Sequence, residues 1–139
     1  MIMNAFHFAF KVKDLSSTRK FYVDLLGCKE GRSSDTWIDF DFFGHQLSAH
    51  VSTNLPALDY CGYVDDIRVP IPHFGCLLSI KDFERIQQKL EAADVTFLIK
   101  PQTRYKGQVG EQRTMFVLDL SDNPLEFKAF SNEKEVFSG

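Results

Sequence analysis

The sequence predicts an α+β protein made of two βαβββ modules, and three observations predict it. The apolar pattern runs strand, helix, then two or three strands, and repeats that order in the second half. His7-Phe8-Ala9 and His73-Phe74-Gly75 open the first strand of their respective halves. Each of those strands leads into a helix after an acidic residue. A repeat of about 66 residues is too long for a solenoid and fits duplication of one module. The modules cover about 4–53 and 71–131, with a linker over about 54–70, inside one domain spanning 1–139.

In the first module, His7 to Val12 is a short apolar run suited to a buried strand, and Lys13-Asp14 ends it. LSSTRKFYVDLLG then reads as a helix. Ser16 or Ser17 can cap its first amides, and Gly27 can end it in a left-handed conformation. Phe21, Leu25 and the stem of Arg19 form its packing stripe. From Cys28 to Ser52 the period becomes two. Trp37, Asp39, Asp41 and Phe43 alternate with Ile38, Phe40 and Phe42, and Gly44-His45 turns the chain into a strand over Gln46 to Ser52.

The linker holds prolines and no clear period. His73 to Ser79 is the next apolar strand. KDFERIQQKLEAAD places Phe83, Ile86, Leu90 and Ala93 at helical spacing, with Asp82 near its start. Val95 to Lys100 reads as a strand and Pro101 to Gly110 as a long polar loop. Met115 to Leu120 and Leu125 to Phe130 are two final strands around the turn Ser121-Asp122-Asn123-Pro124.

The bulk properties narrow the function. A chain of 139 residues with ordinary apolar content can bury a real core. Its net charge of −3, with no Lys/Arg block, gives no footprint for nucleic acid. The apolar stretches are shorter than the roughly 20 residues a membrane helix needs. MIMNAFHFAF lacks the basic region and cleavage site of a secretory signal. Cys28, Cys61 and Cys76, an odd number with no CxxC pair, argue for reduced thiols in a cytoplasmic compartment. A small-molecule enzyme, a small-molecule binder and a protein-interaction domain remain.

The residues that could carry chemistry start with the two histidines. A lone histidine in an apolar strand is more often a hydrogen-bonded core residue. Two at matching positions of a repeat can approach one point from opposite sides, and neutral imidazole ligates zinc, iron, nickel and manganese. Glu126 lies inside an apolar strand. It either faces solvent or faces inward and needs a partner, for which a metal is suited. Two histidines and one carboxylate leave coordination positions open, as a catalytic site requires. Aligning GHQLSAH with DNPLEFK sets Ser48 opposite Glu126, and His50, two residues on, shares its strand face. His50 is a fourth ligand or a substrate contact, and His45 in the turn is a weaker candidate. Trp37, Asp39 and Asp41 line a cavity or an exposed sheet face. Arg104, Tyr105 and Lys106 are solvated loop charges or a clamp for an anionic substrate. Glu111 and Arg113 form an ion pair or touch substrate. Cys76 reads as an inert core thiol.

HFAFKVKDL followed by STRKFYVDLLG resembles the opening of the vicinal oxygen chelate superfamily, which includes glyoxalase I, the fosfomycin and bleomycin resistance proteins and the extradiol dioxygenases. LDLSDNPLEFKAF is similar to that family's closing strand, where a glutamate ligand follows an aspartate-x-x-asparagine turn, and PHFGCLLS resembles the start of its second module. The resemblance covers nearly the whole chain. It implies curved mixed sheets around a metal-holding cleft, with His7, His73 and Glu126 as ligands. It also implies a metal-dependent enzyme acting on a small oxygen-bearing substrate. The family's lyases and isomerases often carry another carboxylate where this chain has Ser48, so the resemblance favours dioxygenase-like chemistry with iron(II). Zinc, nickel or manganese with lyase or isomerase chemistry is the alternative, and so is a binding or resistance protein without turnover. Open sheet edges make a homodimer the expected assembly.

Overall fold

The computed structural model describes residues 4–138. It divides into two compact units, one running to Ala57 and including Leu120–Asn123, the other running from Leu58 to Asp119 and resuming at Pro124. Each unit contains a four-stranded mixed sheet. The chain is α+β, as its sequence predicts.

In the first unit, β1 (His7–Val12) is followed by α1 (Leu15–Arg19), which continues as a π-helical segment, Lys20–Leu25. Strands β2 (Lys29–Ser33), β3 (Trp37–Phe42) and β4 (His45–Val51) complete the sheet, in the order β1-β4-β3-β2. β1 runs parallel to β4, and the other pairs are antiparallel. The helix cap differs from expectation. Asp14 is the extended residue before the first turn, and its carboxylate accepts the Ser17 amide at 2.7 Å. Ser17 is the donor three residues into the helix, so neither serine caps it. Thr18, Phe21, Tyr22, Leu25 and Leu26 are buried, a wider stripe than Phe21 and Leu25 alone. Arg19 lies outside it and pairs with Glu30 at 2.7 Å. Gly27, at φ 80°, ends the helix as expected.

The β3–β4 turn is Phe43-Gly44, with φ of 51° and 91°, so His45 opens β4 instead of sitting in the turn. Positive φ at both central residues is the two-residue turn that matches strand twist. One sheet face, with Phe10, Val12, Ile38, Phe40, Phe42, Leu47 and Ala49, is core. Tyr22 stacks on it, 5.6 Å from Phe10 and 5.3 Å from Phe40 between ring centroids. The strand register assigns His7, Ala9, Asp39, Asp41, Gln46, Ser48 and His50 to the other face.

The second unit opens with a hairpin where a structureless linker was expected: β5 (Gly62–Val64) and β6 (Ile67–Val69), joined at Asp65-Asp66. Then come β7 (Phe74–Leu77), α2 (Ile80–Ala92), β8 (Phe97–Arg104), β9 (Gln112–Leu118) and β10 (Pro124–Phe130), in a sheet ordered β7-β10-β9-β8. β7 is shorter than the expected His73–Ser79 because Pro72 precedes it and Ser79 caps α2, accepting the Asp82 amide at 3.1 Å. β8 is longer, running through Pro101 to Arg104. Proline is tolerated there because β8 is an edge strand and its register shifts between Ile99 and Gln102. The polar loop therefore starts at Tyr105. Phe83, Ile86 and Leu90 of α2 are buried, as are Met115, Val117, Leu125, Phe127 and Ala129 on the sheet face that α2 covers. On the opposite face, Val64 and Val69 of the hairpin cluster with Ile99 and Phe116. No helix among the described residues is long and apolar enough to cross a membrane.

Candidate metal centre

The second unit brings two of the three expected ligands together. Glu126 sits on β10 opposite Gly75 of β7 and Phe116 of β9, and it is 9% exposed. His73 immediately precedes β7, and its Nε2 lies 3.4 Å from Glu126 Oε1. The close approach of these strands depends on Gly75, because a Cβ there would overlap the Glu126 carbonyl. The Phe116 ring packs edge-on against the His73 imidazole at 4.8 Å.

The hydrogen bonds determine which imidazole nitrogen is free. His73 Nδ1 lies 2.8 Å from the Pro70 carbonyl. A carbonyl only accepts, so Nδ1 carries the proton and a neutral imidazole presents an Nε2 lone pair. That lone pair faces a carboxylate oxygen. Two acceptors do not rest side by side unless a cation or a proton lies between them. Two donors at bond lengths of about 2.0–2.2 Å from one ion stand roughly 3–3.5 Å apart, so the observed 3.4 Å suits shared coordination. The pair fits a divalent metal.

The first unit repeats part of this arrangement. His7 is exposed at the start of β1, and its Nδ1 lies 2.7 Å from Gln46 Oε1. With Nδ1 donating to that amide oxygen, His7 also presents Nε2. The strand register supports the equivalence of the modules, since Ala9 faces Ser48 as Gly75 faces Glu126. Ser48 therefore occupies the carboxylate position of module one. Its hydroxyl donates to Asp39 Oδ1 at 2.6 Å, and Asp39, at 9% exposure, is itself nearly buried. A pocket lined by Gly31, Arg32, Asp39, Asp41, His45 and Gln46 opens beside it. Neither unit by itself gathers three or more His, Cys, Asp or Glu side chains around one point, among the described residues.

The other candidates are placed as follows. His50 lies on the same face as Ser48, opposite Lys11 and Trp37. It is four residues along β4 from Gln46, roughly 13 Å from the row of His7. His45 accepts the Phe6 amide at 2.8 Å, so it helps close the β1 end. Arg104 belongs to β8, where it pairs with Asp65 at 3.0 Å, and its guanidinium lies 4.8 Å over the Tyr105 ring. Arg113 projects to the α2 side, over Phe83 at 5.4 Å and towards Gln87. Glu111 accepts the Gly107 amide at 2.7 Å and the Ser131 hydroxyl at 2.9 Å, which hold its carboxyl below the usual carboxylate range. Cys76 is partly buried, and burial, with the Asp82 charge, pushes its thiol up to about 11. Sequence reasoning did not foresee Gln46 and the Pro70 carbonyl as the groups that orient the histidines. It also missed the Ser48–Asp39 bond, because that contact and the one from Gln46 depend on register.

A family model described as the Glyoxalase/Bleomycin resistance protein/Dioxygenase superfamily matches residues 5–127. Among solved structures, the chain is similar to a glyoxalase/bleomycin resistance protein/dioxygenase from Alicyclobacillus acidocaldarius. They share 30% identity over 96% of each chain, with a TM-score of 0.76. It is also similar to FosX, a genomically encoded fosfomycin resistance protein from Listeria monocytogenes. That match has 19% identity over 98% of this chain and 100% of that one, with a TM-score of 0.73. A third is an integron cassette protein from the mobile metagenome of V. cholerae, at 21% identity over 94% and 98%, with a TM-score of 0.63. At these identities the last two speak to the fold alone. No curated protein sequence matches the chain.

Proposed function

The chain belongs to the Glyoxalase/Bleomycin resistance protein/Dioxygenase superfamily, and on that premise we propose that it is a divalent-metal enzyme acting on a small oxygen-bearing substrate. One observation carries the reading. At equivalent positions of the two modules, His7 and His73 each engage Nδ1 with an oxygen, Gln46 Oε1 or the Pro70 carbonyl, and so each present Nε2. Partners of this kind set the tautomer and ring orientation of metal-bound histidines. His7, His73 and Glu126 are the proposed ligands. The edge strands β1 and β7 expose Ala9, Lys11 and Leu77, which favours a homodimer.

When bound, the metal supplies Lewis acidity and a template for two neighbouring substrate oxygens. The chain's own residues do the rest. Gln46 and the Pro70 carbonyl orient the imidazoles, and Phe116 shields one side of His73 from water. Two histidines with one carboxylate suit iron(II) and dioxygenase-like chemistry, and zinc, nickel or manganese are the alternative ions. One specific observation supports the lyase or isomerase reading. Asp39, a nearly buried carboxylate on the sheet face of His7, is held by Ser48 where a fourth ligand, a second carboxylate, would stand, and it is suited to taking a proton from substrate. Cysteines outside any disulfide among the described residues agree with a cytoplasmic protein.

The test is the metal content of protein purified anaerobically, beside His7→Ala, His73→Ala and Glu126→Ala. Near-stoichiometric iron lost in each variant supports the dioxygenase-like version and leads to oxygen-uptake assays with catechol-like substrates. Zinc, nickel or manganese lost in the same way supports the lyase or isomerase version. No metal, even after incubation with each ion, overturns the catalytic reading in favour of a ligand-binding protein.

A further inference from the structure

The sheet face that carries Glu126 also carries polar atoms without a hydrogen-bond partner in the protein: Gln102 Nε2, Arg104 Nε, Gln112 Oε1 and Thr114 Oγ1. They are not scattered. Gln102 stands opposite Thr114, and Arg104 stands opposite Gln112, so the four form two adjacent rows across β8 and β9. Glu126 is opposite Phe116 and Lys128 is opposite Thr114. The first polar row therefore begins one two-residue step from Glu126, roughly 7 Å along the strand. Thr114 is 1% exposed and Gln112 is 6% exposed. The Gln112 amide nitrogen donates to the Gly110 carbonyl at 3.2 Å, which orients the group and leaves Oε1 over.

Buried polar atoms without partners are few in native folds, and each disfavours the fold unless something else binds it. Four of them in two rows beside a histidine–glutamate pair are a buried polar lining that a bound group would complete. Charge decides which kind. The Arg104 guanidinium is held by Asp65 at 3.0 Å, and Lys128 Nζ lies 4.0 Å from Glu126 Oε1. Each cation already faces a carboxylate, so the rows offer donors and an acceptor but no net positive charge. A phosphonate or carboxylate head would have to compete with Asp65 or Glu126. A neutral group with both a carbonyl and an N–H or O–H matches what is left. We propose that Gln102, Gln112 and Thr114, with Arg104 Nε, form the subsite for an uncharged amide or hydroxyl end of the substrate. The inference rests on His73–Glu126 being where the substrate's chelating oxygens lie.

Two measurements on the whole protein test it, beginning with thermal denaturation of Thr114→Val. Replacing a buried, unpartnered hydroxyl with an isosteric methyl raises Tm by about 3–5 °C. A fall in Tm would mean that the hydroxyl is bonded within the fold, and would overturn the proposal. The second is a titration followed in 1H–15N spectra, with acetamide and with methylphosphonate at millimolar concentrations. Acetamide is expected to shift the Gln102 and Gln112 side-chain amides and Arg104 Nε–H, with the shifts lost in Thr114→Val. Shifts from methylphosphonate alone, or from neither probe, overturn the neutral subsite. Zinc titration of both proteins separates the two levels. Equal zinc affinity without acetamide shifts sinks the subsite only, whereas a wild-type protein that binds no zinc or other divalent ion sinks the metal reading beneath it.

Discussion

Replacing Gly75 with alanine puts the geometry of the site to a direct test. A Cβ at this position overlaps the Glu126 carbonyl and comes within 2.6 Å of its carbon, closer than a real Cβ can approach backbone. Because the obstacle is main chain, no rotamer change relieves it, and β7 must move away from β10. That overpacking costs about 1–3 kcal/mol. Two strained ladder hydrogen bonds add about 1 kcal/mol each. The lower entropy of an alanine-bearing unfolded chain returns about 0.4–1 kcal/mol. The net expectation is a loss of about 2–4 kcal/mol, or roughly 8–15 °C in Tm for a chain of this size. His73, two residues before Gly75, shifts with β7, so metal affinity falls together with stability. Ala9 is the internal control. It faces Ser48 at the equivalent position and already carries a Cβ, so Ala9→Gly loses only about 0.5–1 kcal/mol. Thermal and urea unfolding of both variants measure the difference. A Gly75→Ala protein within about 0.5 kcal/mol of wild type would refute the argument from close strand approach.

Three further outcomes are expected. Glu126→Gln keeps the side-chain shape and removes the charge, so divalent-metal affinity drops by more than about 100-fold in a competition titration. An unchanged affinity would remove Glu126 from the ligand set. With the Cys76 thiol near 11, only about one molecule in a thousand is thiolate at pH 8. Ellman's reagent should therefore find one fast thiol, the exposed Cys61, while Cys76 and the buried Cys28 react slowly, and a second fast thiol assigned to Cys76 by mass spectrometry would contradict this. The Asp14 carboxyl is held below the usual carboxylate range, chiefly by the Ser17 amide and then by the Ser17 hydroxyl. A lowered folded-state value means that this stabilisation is full above the unfolded pKa and disappears as pH falls through the folded one. Asp14→Asn, which keeps a cap, should match wild type near neutrality and flatten the loss of Tm below pH 4. An unchanged acid limb in that variant would count against the assigned cap.

Local patterns carried much of the architecture. Helix α2 was legible because Phe83, Ile86 and Leu90 recur at helical spacing, and β3 because Ile38, Phe40 and Phe42 alternate with polar residues. Where expectation and structure differ, a longer-range contact overrode local preference. The prolines around β5–β6 suggested a linker, yet Val64 and Val69 gain a hairpin by packing on Ile99 and Phe116. Pro101 suggested a loop, yet the outer edge of β8 tolerates a residue without an amide donor.

The same division applies to the site. Its residue types and repeat spacing were determined by the sequence alone, because duplication of a module leaves His7 and His73 at matching positions and Glu126 within an apolar strand. Which nitrogen His7 presents was decided only by tertiary structure, through Gln46 Oε1 across the β1–β4 pairing, whereas His73 is oriented by the Pro70 carbonyl three residues before it. The Ser48–Asp39 bond and the two polar rows of β8 and β9 likewise exist only through strand register. Periodicity assigns a residue to one face of its own strand. Which partner stands opposite it is set by pairing between segments distant in sequence, and a pattern read along a single segment carries no record of that pairing.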